Sequence, residues 1–250
     1  MRAGGGRRVE QIAAQLAQWD PAVVVLSEFR ATASSQWLAS ELAAQGLPYQ
    51  RTTADRREAT RNGLLVASQW PLRRVGVRRA PSLSHRWLLA RVAAPEPFTV
   101  GAMHVPNYVS GLKGDFYAGV LGVAQHWRGG PAMLIGDTNT GLPGIDEETS
   151  VFGPRNERWM HGLDAAGWTD AFRWLHGQRR EYTWYSPNGG NGFRLDEAFL
   201  HRSLLPRLRG TRHEWGRADG SGGDARRDVL SDHAALIVDL ASDDGQAGTD

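Results

Sequence analysis

The sequence predicts a layered α/β fold with two mixed β-sheets and helices packed outside them. Three observations favour this class. Predicted strands outnumber predicted helices, the apolar run at residues 22–26 resembles a strand buried on both faces, and residues 9–19 carry apolar side chains at helical spacing. Strands and helices do not alternate strictly, which argues against a simple βαβ repeat.

Each predicted element rests on its local pattern. Val9 and Ile12 share one face of the first helix, which ends before Pro21 because a residue preceding proline disfavours the helical backbone. A second helix over residues 34–45 ends at Gly46. The other predicted strands cover residues 62–68, 87–93, 98–104, 132–135, 181–185, 195–200 and 234–240, and the other helices cover residues 114–127 and 158–167.

Composition indicates one large domain. The chain has 250 residues, of which 41% are hydrophobic, enough for one substantial core over residues 1–241. The Gly- and Asp-rich stretch at 217–227 is expected to be a mobile loop, and residues 242–250 a disordered tail. The absence of cysteine excludes disulfides, thiolate zinc sites and cysteine nucleophiles.

The basic residues are almost all arginine. Lys113 is the only lysine among 29 basic residues, and the net charge is +2. Arginine suits bidentate phosphate binding, although codon bias in a GC-rich genome explains the excess equally well. Charge therefore favours an anionic partner, such as a nucleic acid, only weakly.

Neither a membrane span nor a secretory signal is predicted. No run of about 20 apolar residues occurs, and residues 1–10 lack the apolar core of a signal peptide. We expect a soluble, cytoplasmic monomer.

Polar residues lie at the ends of four predicted strands: three groups follow an apolar run, and the fourth comes immediately before the last strand. They are Glu28, His104, Gly136-Asp137-Thr138-Asn139 and Ser231-Asp232-His233. Active sites of layered α/β proteins assemble in loops at strand ends, so these residues are the candidates for chemistry.

Six motifs follow one another along the chain: Glu28, Asn62-Gly63-Leu64-Leu65-Val66, His104-Val105-Pro106, Gly136-Asp137-Thr138-Asn139, Arg194-Leu195-Asp196 and Ser231-Asp232-His233. In this order they resemble the signature of the endonuclease/exonuclease/phosphatase superfamily, which includes DNase I-like and exonuclease III-like enzymes. Each motif alone is a weak signal, but together they span most of the chain. The resemblance implies a four-layered α/β sandwich and a phosphodiesterase that cuts DNA or RNA by in-line attack of an activated water.

The resemblance implies a bound Mg²⁺ ion, with Mn²⁺ as an alternative. Glu28 resembles the principal metal ligand, and Asp232 is expected on the metal side of the site. A hard divalent cation held by carboxylates and waters agrees with a site that has no cysteine. The alternative for Glu28 is a solvated glutamate at the end of a strand.

The resemblance also implies the catalytic roles. Asp137 resembles the residue that orients and deprotonates the attacking water, and Asn139 resembles a hydrogen-bond donor to a phosphate oxygen. His233 resembles the histidine that binds the scissile phosphate, with Asp196 as its carboxylate partner. In the alternative interpretation, Asp196 forms a salt bridge with Arg194.

Other residues are assigned to the rim of the site. His104 resembles a general acid toward the leaving group, or else it is a buried structural histidine. Asn107, Arg194 and Trp184 are predicted to bind substrate, while most other tryptophans are expected in the core. Asp170 matches a motif that we interpret as architectural.

One departure from the family concerns the start of the chain. Members begin with a strand that ends in a metal-binding asparagine, and residues 1–8 look like the loop after such a strand. We expect either that this strand, with any signal, is encoded upstream or that it is lost. Two alternatives to a nuclease therefore stay open: a phospholipid or inositol-phosphate hydrolase, and a non-catalytic member.

Overall fold

The structure is a computed structural model that describes residues 4–216 and 230–241, so the predicted loop at 217–227 and tail at 242–250 lie outside the described residues. The described part contains five α-helices: α1 (Val9–Trp19), α2 (Ala33–Ala44), α3 (Lys113–Gln125), α4 (Pro154–Ala165) and α5 (Ala171–His176). Its strands are β1 (Val23–Phe29), β2 (Tyr49–Thr52), β3 (Gly63–Ser68), β4 (Leu72–Arg74), β5 (Trp87–Val92), β6 (Phe98–His104), β7 (Ala132–Asp137), β8 (Trp168–Asp170), β9 (Trp184–Tyr185), β10 (Gly192–Phe193), β11 (Asp196–His201), β12 (Leu208–Glu214) and β13 (Ala235–Leu240).

A six-stranded mixed sheet forms the centre of the fold. Its strand order is β4-β5-β6-β7-β11-β8, and β6 and β7 are parallel while the other neighbours are antiparallel. One face packs against α3 and α4 through buried side chains such as Phe116, Val120 and Trp159. These side chains recur at three- and four-residue spacing, which places them on the inner helix faces.

The second β-layer packs on the other face of the central sheet. It consists of two antiparallel sheets, β1-β3-β2 and β12-β13. Leu64, Val66 and Val100 are among the side chains buried between the layers. Helices α1 and α2 cover the outside of β1 and β3.

The layers confirm the predicted α/β sandwich, with one difference in the sheets. Helices, a β-layer, the central sheet and helices follow one another, as the layered fold requires. Only the central sheet is mixed, whereas two mixed sheets were predicted. The second layer is antiparallel because neighbouring strands in each of its sheets run in opposite directions.

Some elements were not predicted because their local signals are weak. Strand β12 carries arginines and a glycine, and helix α5 spans only six residues. None of the helices in the described ranges is long and apolar enough to cross a bilayer.

Candidate active site

Three neighbouring strands of the central sheet bring their polar residues to the same level. His104 on β6 lies opposite Asp137 on β7, and Asp137 lies opposite Asp196 on β11. Directly paired residues project to the same face of a sheet, so the three side chains are neighbours. The Nε2 atom of His104 lies 3.4 Å from Oδ2 of Asp137.

Asp137 is a buried carboxylate with an unusual affinity for protons. Its Oδ1 accepts the backbone N–H of Asn139 at 2.8 Å. Burial, together with the charges of Asp196 and Glu28, raises the pKa of Asp137 to about 6 against the opposing charge of His233. A carboxylate whose pKa lies near neutral pH is suited to accepting a proton.

His233 and Asp196 form a charged pair beside Asp137. The Nδ1 atom of His233 lies 2.8 Å from Oδ2 of Asp196. Burial would lower the pKa of His233, but the surrounding carboxylates, Asp196 foremost and then Asp137 and Asp232, together outweigh burial and raise it to about 9. Burial would raise the pKa of Asp196, but His233 and the hydroxyl of Thr183 lower it. The pair is therefore an imidazolium and a carboxylate at neutral pH.

Asn139 orients Asp137 and closes the loop after β7. Its Nδ2 donates to the carbonyl of Val105 at 2.8 Å and to Oδ2 of Asp137 at 3.3 Å. Its φ of 47° is left-handed, a conformation that asparagine tolerates better than most residues. To donate to a phosphate oxygen, as predicted, Asn139 would have to give up one of these two hydrogen bonds.

Glu28 lies within electrostatic range of the cluster. It sits at an irregularity in the pairing of β1 with β3 and has a φ of 59°. Such irregularities re-aim side chains near active sites. The charge of Glu28 raises the pKa values of both Asp137 and Arg86. Asp232 lies near His233, whose pKa its charge helps to raise.

The described residues contain no group of three or more His, Cys, Asp or Glu side chains arranged to hold a metal ion. Mg²⁺ needs only one or two protein carboxylates, because water supplies its other ligands. The charges of Glu28 and Asp196 both raise the pKa of Asp137, so the three carboxylates lie within electrostatic range of one another. This oxygen-only donor set fits a hard divalent cation.

Two cations of the site were not among the predicted site residues. Arg86 donates from Nη1 to the carbonyl of His104 at 3.3 Å. Lys113 donates to the carbonyl of Asn139 and lies 4.1 Å from the centroid of the Tyr108 ring. Burial lowers the pKa of Lys113 to about 8, although the charge of Asp137 acts in the opposite direction. The rarity of lysine was the only signal for Lys113, and Arg86 lies in no motif.

His104 is a neutral imidazole in this environment. Burial lowers its pKa to about 3, and the charges of Arg86 and His233 act in the same direction. A group with this pKa carries no acidic proton near neutral pH. Its burial and neutral state therefore favour a buried structural histidine over the general acid.

The structure contradicts the prediction that Arg194 binds substrate. Its side chain has no exposed area, and it pairs with Asp146 at 2.6 Å, Asp170 at 2.6 Å and Glu197 at 3.1 Å. A guanidinium enclosed in this way cannot reach a substrate; its burial requires these paired charges. Asp170 also caps α5, which confirms its architectural role. Asp196 pairs with His233 instead of Arg194.

The Endonuclease/Exonuclease/phosphatase family matches residues 3–233 by sequence. The chain belongs to this family. Several solved structures share its fold. The 3′-phosphatase NExo from Neisseria, bound to a product DNA hairpin, is 19% identical, with 96% of each chain covered and a TM-score of 0.74. The 3′–5′ exonuclease NExo from Neisseria meningitidis is 20% identical, with 93% of this chain and 94% of that chain covered and a TM-score of 0.72.

An AP endonuclease from Archaeoglobus fulgidus is 17% identical, with 94% of each chain covered and a TM-score of 0.75. No curated protein matches the sequence significantly. At these identities the solved structures establish the DNase I-like fold, and membership of the endonuclease/exonuclease/phosphatase family supports a hydrolase that acts on phosphoesters.

In this member of the family, two further predicted substrate residues lie beside the cluster. Trp184 is half-buried, forms a β-bridge with His233, and its ring centroid lies 6.2 Å from the His233 ring. Asn107 is exposed and follows two residues after Val105, whose carbonyl holds Asn139. Both positions therefore border the site.

Proposed function

We propose that this family member is a Mg²⁺-dependent nuclease that hydrolyses phosphodiester bonds in DNA or RNA. One observation carries the proposal: Asp137 and His233 interact in one cluster while their pKa values are displaced to about 6 and about 9. Near neutral pH the cluster thus offers a proton acceptor beside a fixed positive charge. Groups whose environments set such different protonation states are typical acid–base partners.

Hydrolysis would use the two groups as follows. Asp137, oriented by Asn139, accepts a proton as a water oxygen attacks the phosphorus. The P–O bond to the leaving group breaks, and its electron pair stays on the leaving oxygen. The Nδ1 of His233 is engaged by Asp196, so its Nε2–H is the donor for a non-bridging phosphate oxygen.

A bound Mg²⁺ would polarise the phosphate and neutralise charge on the leaving oxygen. Glu28 would hold the ion, with Asp232 as a second carboxylate, and Mn²⁺ suits the same oxygen donors. In a calorimetric titration, Glu28→Gln should weaken Mg²⁺ or Mn²⁺ binding at least tenfold, whereas Glu157→Gln, an exposed change on α4, should not.

A nucleic acid is supported as substrate by several features. Trp184 and Asn107 border the cluster, and aromatic rings beside a cationic site favour bases and phosphates. The Neisseria 3′-phosphatase of the same fold is bound to a DNA hairpin. We therefore propose DNA as the first substrate to test.

The test uses plasmid DNA and end-labelled duplexes, some with a 3′-phosphate or an abasic site. Wild-type protein should cut at least one of these substrates with Mg²⁺, and EDTA should stop the cutting. Asp137→Asn and His233→Gln should each abolish it. Asp164→Asn and His161→Gln are matched controls because both side chains are exposed on α4. If the protein leaves nucleic acid intact but hydrolyses an inositol phosphate or a phospholipid, the nuclease assignment is rejected. If it hydrolyses none of these substrates and binds neither Mg²⁺ nor Mn²⁺ in the calorimeter, it is a non-catalytic member.

A further inference from the structure

Lys113 occupies a position that is unfavourable for a charged side chain. It is the first residue of α3, and only 2% of its surface is exposed. Burial disfavours an ammonium, and the positive end of a helix dipole disfavours a cation. Lys113 is also the only lysine of the chain, in which arginine fills every other position with a permanent positive charge. A lysine buried at this one site therefore depends on specific partners.

The ammonium of Lys113 has three such neighbours. It donates to the backbone carbonyl of Asn139, and it lies 4.1 Å from the ring centroid of Tyr108 and 5.5 Å from that of Tyr117. An ammonium is a compact charge with three N–H groups and is attracted to aromatic faces. The guanidinium of arginine is a wider plane that presents its donors in a fixed fork. The enclosed site therefore suits lysine better than arginine.

The same groups belong to a closed set of contacts, which we call the Lys113 network. The hydroxyl of Tyr108 donates to Oδ1 of Asn156 at 2.6 Å, and Nδ2 of Asn156 donates to the hydroxyl of Thr140. Thr140 directly follows Asn139, whose carbonyl accepts from Lys113. The ammonium closes the network against the ring of Tyr108. The five residues come from the loop after β6, the start of α3, the loop after β7 and α4.

The Lys113 network reaches the water-activating carboxylate through one residue. The backbone N–H of Asn139 donates to Oδ1 of Asp137 at 2.8 Å, and its carbonyl accepts from Lys113. The left-handed φ of 47° at Asn139 is a conformation that persists only when surrounding contacts hold it. The hydrogen bond from Lys113 is one of these contacts, so the ammonium acts on the orientation of Asp137.

We propose that Lys113 is a positioning residue for the hydrolysis: its ammonium fixes the backbone of Asn139, and Asn139 in turn orients Asp137 toward the attacking water. The inference rests on the proposed function, because it concerns the same reaction. Without the ammonium, Tyr108 keeps its hydrogen bond to Asn156, so the neighbouring substrate-side residue Asn107 stays in place. Loss of Lys113 should therefore slow the chemical step and leave substrate affinity nearly unchanged.

The absence of cysteine allows the ammonium to be tested by chemical replacement. The Lys113→Cys variant has a single cysteine. Alkylation with 2-bromoethylamine in denaturant, followed by refolding, places an ammonium there at the length of a lysine side chain. Alkylation with 2-iodoethanol places a neutral hydroxyl at the same length. Wild-type protein, which has no cysteine to alkylate, passes through the same steps as the control for refolding.

Cutting of the DNA substrates gives the activity readout. We expect Lys113→Met and the hydroxyethyl form to lose about 30-fold or more in kcat, with KM within about threefold of the wild-type value. The aminoethyl form should recover most of this loss. Arg158→Met, an exposed change on α4, should alter neither constant. Equal kcat values for the two alkylated forms, or full kcat in Lys113→Met, would overturn the proposal.

Hydrogen exchange tests the Lys113 network without catalysis. In Lys113→Met the backbone amide of Asn139 should exchange about tenfold faster or more, while the amides within β5 and β6 exchange as in wild-type protein. Equal protection of Asn139 in both proteins would reject the proposal, and so would faster exchange throughout β5 and β6, which indicates a residue that only supports the fold. If wild-type protein cuts no nucleic acid, the proposed function fails, and the exchange of Asn139 still decides whether Lys113 holds its backbone.

Discussion

His233 and Asp196 are 37 positions apart in the chain, yet their Nδ1 and Oδ2 atoms lie 2.8 Å apart. Strand β11 supplies the carboxylate and the segment before β13 supplies the imidazole. The pair therefore links the central sheet to the segment that leads into β13 of the second β-layer. Its geometry holds a positive charge beside Asp137, and the predictions below depend on that charge.

Replacing Asp196 by asparagine should remove the charge without changing the shape of the site. The carboxylate is the main cause that raises the pKa of His233, so Asp196→Asn should lower this pKa and leave the imidazole neutral at pH 8. We expect kcat/KM at pH 8 to fall about 100-fold or more, and the loss to be smaller at pH 6. NMR titration of His233 gives the pKa directly. An unchanged pKa in the variant would contradict the assigned partner.

Activity should depend on pH in a bell shape. Asp137 must be deprotonated to accept a proton, so kcat/KM should rise through pH about 6. His233 must be protonated, so kcat/KM should fall through pH about 9. Steady-state rates between pH 5 and pH 10 at constant ionic strength and saturating metal provide the measurement. The acidic limb should disappear from the residual activity of Asp137→Asn, and its persistence there would assign that limb to another group.

Replacing Asp137 should reduce activity without reducing stability. The fold raises the pKa of Asp137 to about 6, above its ordinary value, so it favours the neutral acid. The stability that the neutral acid contributes is present at low pH and is lost as pH rises through 6. Asp137→Asn should therefore reduce kcat about 1,000-fold or more while the free energy of unfolding at pH 8 stays equal or rises. Urea titration checks stability, and a parallel loss of both quantities would indicate a structural role.

Arg194 should behave as a structural residue. Removing its guanidinium leaves Asp146 and Glu197 as buried carboxylates without this partner. We expect Arg194→Met to lower the free energy of unfolding by about 3–5 kcal/mol. Arg179→Met is the matched control: its side chain is 60% exposed and pairs with Glu181, so the change should cost at most about 1 kcal/mol. A stable Arg194→Met protein with a raised KM would instead restore the substrate-binding role.

The local pattern of the sequence determined many of the elements. Helix α1 and strand β6 have the predicted bounds, because helical spacing and a buried apolar run are properties of neighbouring residues. The order of the motifs likewise predicted the family and the layered fold. The register of β6, β7 and β11 then placed His104, Asp137 and Asp196 together.

Only the tertiary structure decided the environment of each side chain. The burial of Arg194 among three carboxylates, the neutral state of His104 and the approach of Lys113 to Asn139 all involve groups from different elements. Burial and charge depend on which distant segments meet in space, and a linear pattern of residue types does not contain that information.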